Sequence, residues 1–456
     1  MKFGGSCLQS RDGLLRMTAH VAQAQRPVIV VLSALKGVTD QLIGLVDGAA
    51  KGVAPDLRPL RLRHDEVLEV LKGDHREIAA RGMKPLFDDL ERTLVGIASL
   101  GEAPERARDR IVGMGERLSV VLAAAALAQT GLPTKVSVGA EAGVVTSDVW
   151  SDASLLPEAA DRARTRFGRG DDVVHVVPGF VGQTPEGHWT TLGRGGSDTT
   201  ATFLGAALGA PVILWKDTPG LLTADPRIVD KPRVIDRIHY LDVLELAHYG
   251  LQAIAEKAVH PARRAGVPVE IRSFVDEAPP SLVGDVQTTQ LAITCVPEVV
   301  MLGLLDLGDS ESMDHAAADP MTAAGAARVL GGIARVLDAL GEAGVLPLLL
   351  TEASPAGEAT LAIKAKHRAA VEKALARRRL GIDVQWRDGV AAVSLIGSAM
   401  RGRVGFAASV FACLAKEGIN IDVISQTASE RNISVIVARD QAKAAVRALH
   451  CAFVES

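Results

Sequence analysis

The feature that most constrains this chain is an internal duplication near its C-terminal end. Residues 334–363 (ARVLDALGEAGVLPLLLTEASPAGEATLAI) align without a gap on residues 408–437 (ASVFACLAKEGINIDVISQTASERNISVIV), 74 positions later. Val336/Val410, Leu340/Leu414 and Gly344/Gly418 are identical pairs, and Val345/Ile419, Leu349/Val423, Leu361/Val435 and Ile363/Val437 keep apolar character. Each copy reads helix, glycine turn, strand, turn, strand, helix, with Ala374-Leu375 matching Ala448-Leu449 in the last helix. Two copies make a duplicated supersecondary unit and not a solenoid, which needs three or more repeats to bury its core. The acidic, Ala-rich segment 306–322 ahead of the first copy reads as a mobile loop.

Upstream of Pro279-Pro280 the pattern is different: short β-branched runs alternate with longer amphipathic stretches, the mark of βαβ units and a parallel sheet. Strands are expected at Pro27–Leu32, Val173–Val177, Pro211–Trp215 and Val267–Ile271. Helices are expected from Val38, over Arg108–Gln129, and at Thr199–Leu208, Leu241–His248 and Ala253–Ala265. At 456 residues the chain has room for about three domains. Lys+Arg 50 against Asp+Glu 54 leaves −4 with both signs interspersed, and aromatics are only 3 %. That balance favours neither a nucleic-acid partner nor a membrane surface. Four scattered cysteines, Cys7, Cys295, Cys413 and Cys451, match no zinc spacing and no disulfide framework. No apolar leader and no uninterrupted apolar run of transmembrane length is evident, so the expected location is cytoplasmic.

Two glycine-rich segments carry the chemistry. One is Lys2-Phe3-Gly4-Gly5-Ser6; the other, Thr190 to Thr200 (TTLGRGGSDTT), runs straight into an Ala-rich helix. Glycines let backbone N–H groups approach oxyanions, and a helix N-terminus adds partial positive charge. Arg194 offers a planar fork suited to a carboxylate or phosphate. The chain shows neither a His/Cys/Asp ligand cluster nor a GxSxG motif, which sets aside metal hydrolase and nucleophilic-serine chemistry.

Together with Ser33-Ala34, Gly37-Val38-Thr39, GERLS at 115–119, Pro178-Gly179-Phe180 and TADPR at 223–227, these segments resemble the aspartate kinases of the amino-acid kinase family, in the correct order over the whole chain. The C-terminal duplication looks like that family's tandem ACT domains. The resemblance implies an open, mainly parallel α/β sheet sandwiched by helices over 1–285, followed by two ferredoxin-like βαββαβ ACT domains at 290–380 and 386–456. It also implies transfer of the γ-phosphoryl group of ATP, as MgATP, to the β-carboxylate of L-aspartate. Lys2, Arg194 and Asp198 are then the catalytic candidates. Ser33, Thr39, Glu116, Phe180, Arg194 and Ser197 are placed around the amino-acid substrate: guanidinium for its carboxylate, Glu116 for its ammonium. Lys2, Gly4, Gly5, Lys216, Asp217, Asp225 and Arg227 are placed around ATP, the last three at the carboxyl edge where open α/β sheets bind ligands. Mg²⁺ would ride on the phosphates, with no metal site of the protein's own.

The chain departs from the family pattern at three places. Gln252 stands where relatives carry a lysine that reaches the ATP phosphates, and Lys216 or Lys257 is a candidate to supply that charge. Only Met1 precedes Lys2, so the expectation is that the strand that would aim this lysine is absent or that the true start lies upstream. The first repeat has Leu346-Pro347-Leu348 where effector-binding units place polar residues, whereas the second has Met400 in its loop and Asn420, Asp422 and Gln426 opposite. The second unit is therefore the expected site for a feedback amino acid, lysine or threonine. ACT pairing between chains implies a homodimer or higher homo-oligomer. The alternative reading is a catalytically weakened amino-acid sensor; a kinase for another amino-acid acceptor fits the duplication and TADPR poorly.

Overall fold

The computed structural model describes residues 1–168, 170–251, 253–288, 290–305, 323–351 and 358–455; Gln252 and the segment 306–322 lie outside them. The chain forms two compact units. One comprises Met1–Leu221, Asp236–Tyr240 and Gln252–Val286; the other comprises Leu222–Ile235, Leu241–Leu251 and Gln287–Ser456.

The strands of the first unit are β1 (Lys2–Phe3), β2 (Ile29–Leu32), β3 (Thr134–Val136), β4 (Val174–Pro178), β5 (Val181–Gln183), β6 (Trp189–Thr191), β7 (Val212–Lys216), β8 (Arg237–His239), β9 (Val269–Ser273) and β10 (Ser281–Gly284). Eight of them form one sheet in the order β3-β4-β2-β1-β7-β9-β10-β8, and β5 pairs with β6 as a hairpin. From β3 to β9 all neighbours are parallel; only the β9–β10 pair is antiparallel. Central parallel strands are covered on both faces and so must be apolar throughout. β2 reads IVVL and β4 reads VHVVP, with every residue of β4 buried. The four strands expected from the sequence recur within two residues of their expected ends.

The expected single helix over Arg108–Gln129 is instead two, Glu105–Val112 and Met114–Gln129, broken at Gly113. A Cβ on Gly113 would sit 3.1 Å from the Val181 side chain and 3.2 Å from the Asp109 carbonyl, so the chain turns where only glycine fits closely. An 18-residue window within Glu105–Gln129 is apolar enough to cross a membrane by composition, but it is mostly buried inside the protein. A further departure is at the start of the chain. β1 is present, though only two residues long, and hydrogen-bonds in parallel with β2 and β7 on its two sides. The Met1 ammonium donates to the Ile29 carbonyl at 2.8 Å, and burial lowers its pKa to about 5. A cavity of about 760 Å³ lies between the starts of β2 and β7 beside Met1, lined by Val28, Ile29, Val212, Ile213 and Trp215 among others.

The second unit holds β11 (Ala292–Leu305), β12 (Leu349–Thr351), β13 (Glu358–Lys364), β14 (Asp383–Ile396), β15 (Val423–Gln426) and β16 (Asn432–Ala438) in one antiparallel sheet, ordered β12-β13-β11-β14-β16-β15. Each repeat contributes strand, helix, two strands, helix, and the two long strands β11 and β14 pair at the centre. The residues matched at the 74-position offset are the cores themselves. Val336, Leu340, Leu361 and Ile363 pack in one cluster, and Val410, Leu414, Val435 and Val437 in the other. Leu350 on β12 and Ile424 on β15, also equivalent, are exposed at 45 % and 48 % on the two edge strands.

Candidate active site

A cavity of about 450 Å³ at the carboxyl end of β1 and β2 gathers Lys2, Ser33, Thr39, Glu116, Phe180, Arg194, Ser197 and Asp198, all eight singled out from the sequence. Two glycine contacts make the gathering possible. A Cβ on Gly179 would lie 2.6 Å from the Ser197 side chain, and one on Gly196 would lie 2.8 Å from the Phe180 ring. The Pro178-Gly179-Phe180 turn and the start of the helix Gly196–Leu208 therefore meet nearly backbone to backbone. Phe180 itself is held at φ 65, with its N–H donating to Thr200 Oγ1 at 3.1 Å.

Asp198 lies in the first turn of that helix and is buried. Its Oδ1 is 2.8 Å from Lys2 Nζ, and its Oδ2 accepts from Lys216 Nζ at 2.6 Å. Burial opposes ionisation, but the two ammonium groups outweigh it and hold the carboxyl at about 2. Asp198 is thus a permanent anion at neutral pH and a poor base. Glu116 is the opposite case. It is buried, its Oε2 has no hydrogen-bond partner, and burial pushes its pKa up to about 8 against the pull of the Ala34 N–H, its own N–H and Lys2. Without a ligand it is neutral at pH 7. Arg194 stands exposed at the rim and makes no ion pair among the described residues. A Cβ on Gly5 would lie 2.6 Å from the Ala34 carbonyl, so the Gly4-Gly5 loop presses on the segment that follows β2.

The remaining nucleotide candidates are less gathered. Lys216 joins the cavity only through Asp198, and Asp217, next along the chain, is exposed. Asp225 and Arg227 belong to the second unit and pair with each other, Nη2 to Oδ2 at 2.6 Å. Gln252 lies outside the described residues, and Lys257 pairs with Asp152. Among the described residues no three His, Cys, Asp or Glu side chains come together to hold a metal ion.

One residue of the site escaped the sequence reading. Asp109 is buried, and its carboxylate accepts from the Ser151 N–H at 2.9 Å and the Thr191 N–H at 2.8 Å. It ties Ser151, at φ 64, to the end of β6, from which the LGRGGSD loop departs. The available signal was an Asp flanking Ile111 and Val112 on the buried side of an amphipathic helix. In the second unit, Met400 is buried among Phe406 and Val410, and Gln426 is exposed on edge strand β15. Both oxygens of Asp422 are engaged, one by Arg387 at 2.8 Å and one by Asn420 at 3.1 Å. The loop at Ser398 is tied down by Asp242, whose Oδ2 accepts from the Ser398 hydroxyl at 3.0 Å while Oδ1 pairs with Arg431 at 2.7 Å.

Comparison with known proteins places this geometry. The amino acid kinase family profile matches residues 1–273, and an ACT domain profile matches residues 393–453. The chain is 30 % identical over 465 residues to the aspartokinase of Mycolicibacterium smegmatis, covering 99 % of this chain and 95 % of that one. It is 34 % identical over 362 residues to the aspartokinase of Thermus thermophilus, covering 77 % of this chain and 84 % of that one. Among solved structures, E. coli aspartokinase III in complex with aspartate and ADP superposes with a TM-score of 0.81 at 26 % identity, over 99 % of this chain and 98 % of that one. The same enzyme in complex with lysine and aspartate gives 0.73.

Proposed function

The chain belongs to the aspartokinase family of amino acid kinases, and from that membership and the chemistry of the cavity we propose that it is an aspartate kinase, transferring the γ-phosphoryl group of ATP to the β-carboxylate of L-aspartate. The observation that carries this reading is the charge pattern of the cavity: two ammonium groups fixed on Asp198, whose carboxyl they hold ionised at about 2 and which is therefore no base. A carboxylate acceptor is already ionised at neutral pH and needs no base. It needs positioning, and neutralisation of the charge on the phosphates. The acceptor oxygen attacks the γ-phosphorus as the bond to the ADP oxygen breaks, and no proton has to move.

In this reading Arg194 takes the substrate's α-carboxylate and Glu116 its ammonium, whose arrival restores the ionised form of Glu116. Ser33, Thr39, Phe180 and Ser197 shape the remaining wall. Lys2, beside Gly4 and Gly5, faces the phosphates, and Mg²⁺ arrives with ATP. Asp217, Asp225 and Arg227 are assigned to the nucleotide on family resemblance. Catalysis is assigned to 1–285, and regulation by lysine or threonine to ACT domains at 290–380 and 386–456, with Met400, Asn420, Asp422 and Gln426 around the effector. A homodimer or higher homo-oligomer, formed through the ACT units of two chains, is assigned on family resemblance. The cytoplasm, with its ATP and reduced thiols, is the assigned location. A sensing-only role is disfavoured by the presence of Lys2, Arg194 and Asp198 in one cavity. The test is hydroxylamine trapping of the acyl phosphate with ATP and L-aspartate. Aspartate-dependent hydroxamate is expected; its absence, with ADP formation no faster than without aspartate, would refute the assignment.

A further inference from the structure

A buried carboxylate without a cation is a costly acceptor, and Asp109 is one. It is 1 % exposed, and among the described residues no cation pairs with it: Arg108 turns to Asp47 and Arg110 to Asp89. Burial pushes its carboxyl above the ordinary range, against hydrogen bonds that come from Ser151 and Thr191. A neutral oxygen would satisfy a backbone N–H at lower cost, so the segments held here matter. They flank the loop that presents Arg194. The Ala153 N–H donates to the Thr191 carbonyl at 2.9 Å, which lays 151–153 beside the end of β6. Gly193, at φ 71, lies against that segment: a Cβ there would collide with Asp152 Oδ1 and sit 3.2 Å from the Ser151 carbonyl. From the other side the Leu192 N–H donates to the Phe180 carbonyl at 2.9 Å. Arg194 follows at once, exposed and without an ion pair among the described residues. Its reach is therefore set by the backbone of 191–193 before it and the helix start at Gly196 after it.

Resting on the kinase reading above, we propose that Asp109 is a positioning residue for the amino-acid substrate: by holding Ser151 and Thr191 it fixes the 191–193 backbone at the setting that brings the Arg194 guanidinium onto the α-carboxylate. The task needs a carboxylate because both oxygens accept at once. Oδ1 takes the Ser151 N–H at 3.0 Å and its hydroxyl at 3.3 Å, while Oδ2 takes the Ser151 N–H at 2.9 Å and the Thr191 N–H at 2.8 Å. An amide offers one acceptor oxygen and turns an NH2 toward the other N–H, so one of the two segments is released. Lys2 and Asp198, on β1 and the helix Gly196–Leu208, are paired with each other and do not depend on this grip.

Asp109→Asn in the full chain tests the proposal. KM for aspartate is expected to rise about 10-fold or more, and by more than any fall in kcat, while KM for ATP stays within about two-fold. A general loosening of the fold would move both substrates alike. Ser151→Gly adopts φ 64 without strain, so adding it to Asp109→Asn should recover at least about three-fold of the lost KM; the double variant also serves where Asp109→Asn alone folds poorly. Trypsin gives a reading that needs no activity: cleavage after Arg194 should run at least about five-fold faster in Asp109→Asn than in wild type. An unchanged KM for aspartate, an equal rise for both substrates, no recovery in the double variant, or unchanged cleavage at Arg194 overturns the proposal. If the wild type forms no aspartyl hydroxamate, the kinase assignment falls, and the cleavage rate by itself decides whether Asp109 holds the loop.

Discussion

Replacing Glu116 by Gln isolates the cost of burying one carboxyl group. In an unfolded chain the group ionises near its ordinary 4.5; in the cavity burial pushes it up to about 8. Between those values the folded state keeps a proton that the unfolded state has lost. The contribution to stability is therefore full below about pH 4.5 and declines as pH rises toward 8. Each pH unit costs about 1.4 kcal/mol, so from about pH 5 to pH 7 the wild type loses about 3 kcal/mol that Glu116→Gln does not lose. Other titrations are common to both proteins and cancel in the difference. Urea unfolding followed by tryptophan fluorescence suits the measurement, because Trp150, Trp189 and Trp215 all lie in the unit that carries Glu116. The unliganded variant should gain on the wild type by about 3 kcal/mol across that pH range. The substrate gives a second reading: an ammonium seated against Glu116 expels its proton, so aspartate binding near pH 7 should release about one proton, found by calorimetry in two buffers of different ionisation enthalpy. Parallel stability profiles for the two proteins, together with no proton release, would refute both the neutral Glu116 and its role.

Three further outcomes follow from the same structure. Arg194→Ala leaves the substrate carboxylate without its fork and should cost about 2–4 kcal/mol in kcat/KM for aspartate, with ATP binding unchanged; near-normal kcat/KM would remove Arg194 from the substrate site. Three or four β-branched residues added ahead of Met1 should enter the slot between β2 and β7 and raise Tm by at least about 3 °C, since each buried aliphatic side chain contributes about 1.5–3 kcal/mol; an unchanged Tm would mean that the slot does not accept a strand. Asp422→Ala should weaken inhibition by lysine or threonine and leave uninhibited kcat within about two-fold; equal inhibition of variant and wild type would free Asp422 from the effector site.

Fold was legible in the sequence where burial alone dictates residue type. β2 and β4 are covered on both faces, so their apolar runs admit one reading; β7 is mostly apolar, and β9, VEIRS, buries alternate residues with the period of a strand. The duplication was legible because each repeat must build its own core, and the positions matched at the 74-residue offset are the ones that touch. Structure settled by packing against a distant part of the chain was not legible. The break at Gly113 depends on Val181, more than sixty positions away. The 28-residue helix Gly73–Leu100 carries Pro85 in its interior, which removes one backbone donor and masks the helical pattern. β1 was unreadable because two residues have no period; its strand character comes from the pairing of Lys2 with Val31 and Leu214.

For the cavity, residue identity was legible and protonation state was not. The glycines, Arg194, Glu116 and Asp198 are recognisable from local sequence, because phosphate and carboxylate recognition demands those groups. Glu116 and Asp198 are both buried acids near the start of a helix, and nothing in the local sequence separates them. The fold separates them by what it brings alongside. Asp198 receives two lysines, from strands 18 residues or more away in sequence, and stays ionised to about pH 2. Glu116 receives backbone N–H groups but no hydrogen-bond partner at Oε2, and burial pushes its pKa up to about 8. The carboxyl that already has its cations organises phosphate chemistry, and the one that lacks a cation is left to be completed by a substrate ammonium. Each carboxyl's role is fixed by a charge balance that only the folded chain possesses, and Asp109, which binds no ligand in this account, escaped notice because its task is to hold two backbone N–H groups that the sequence does not place together.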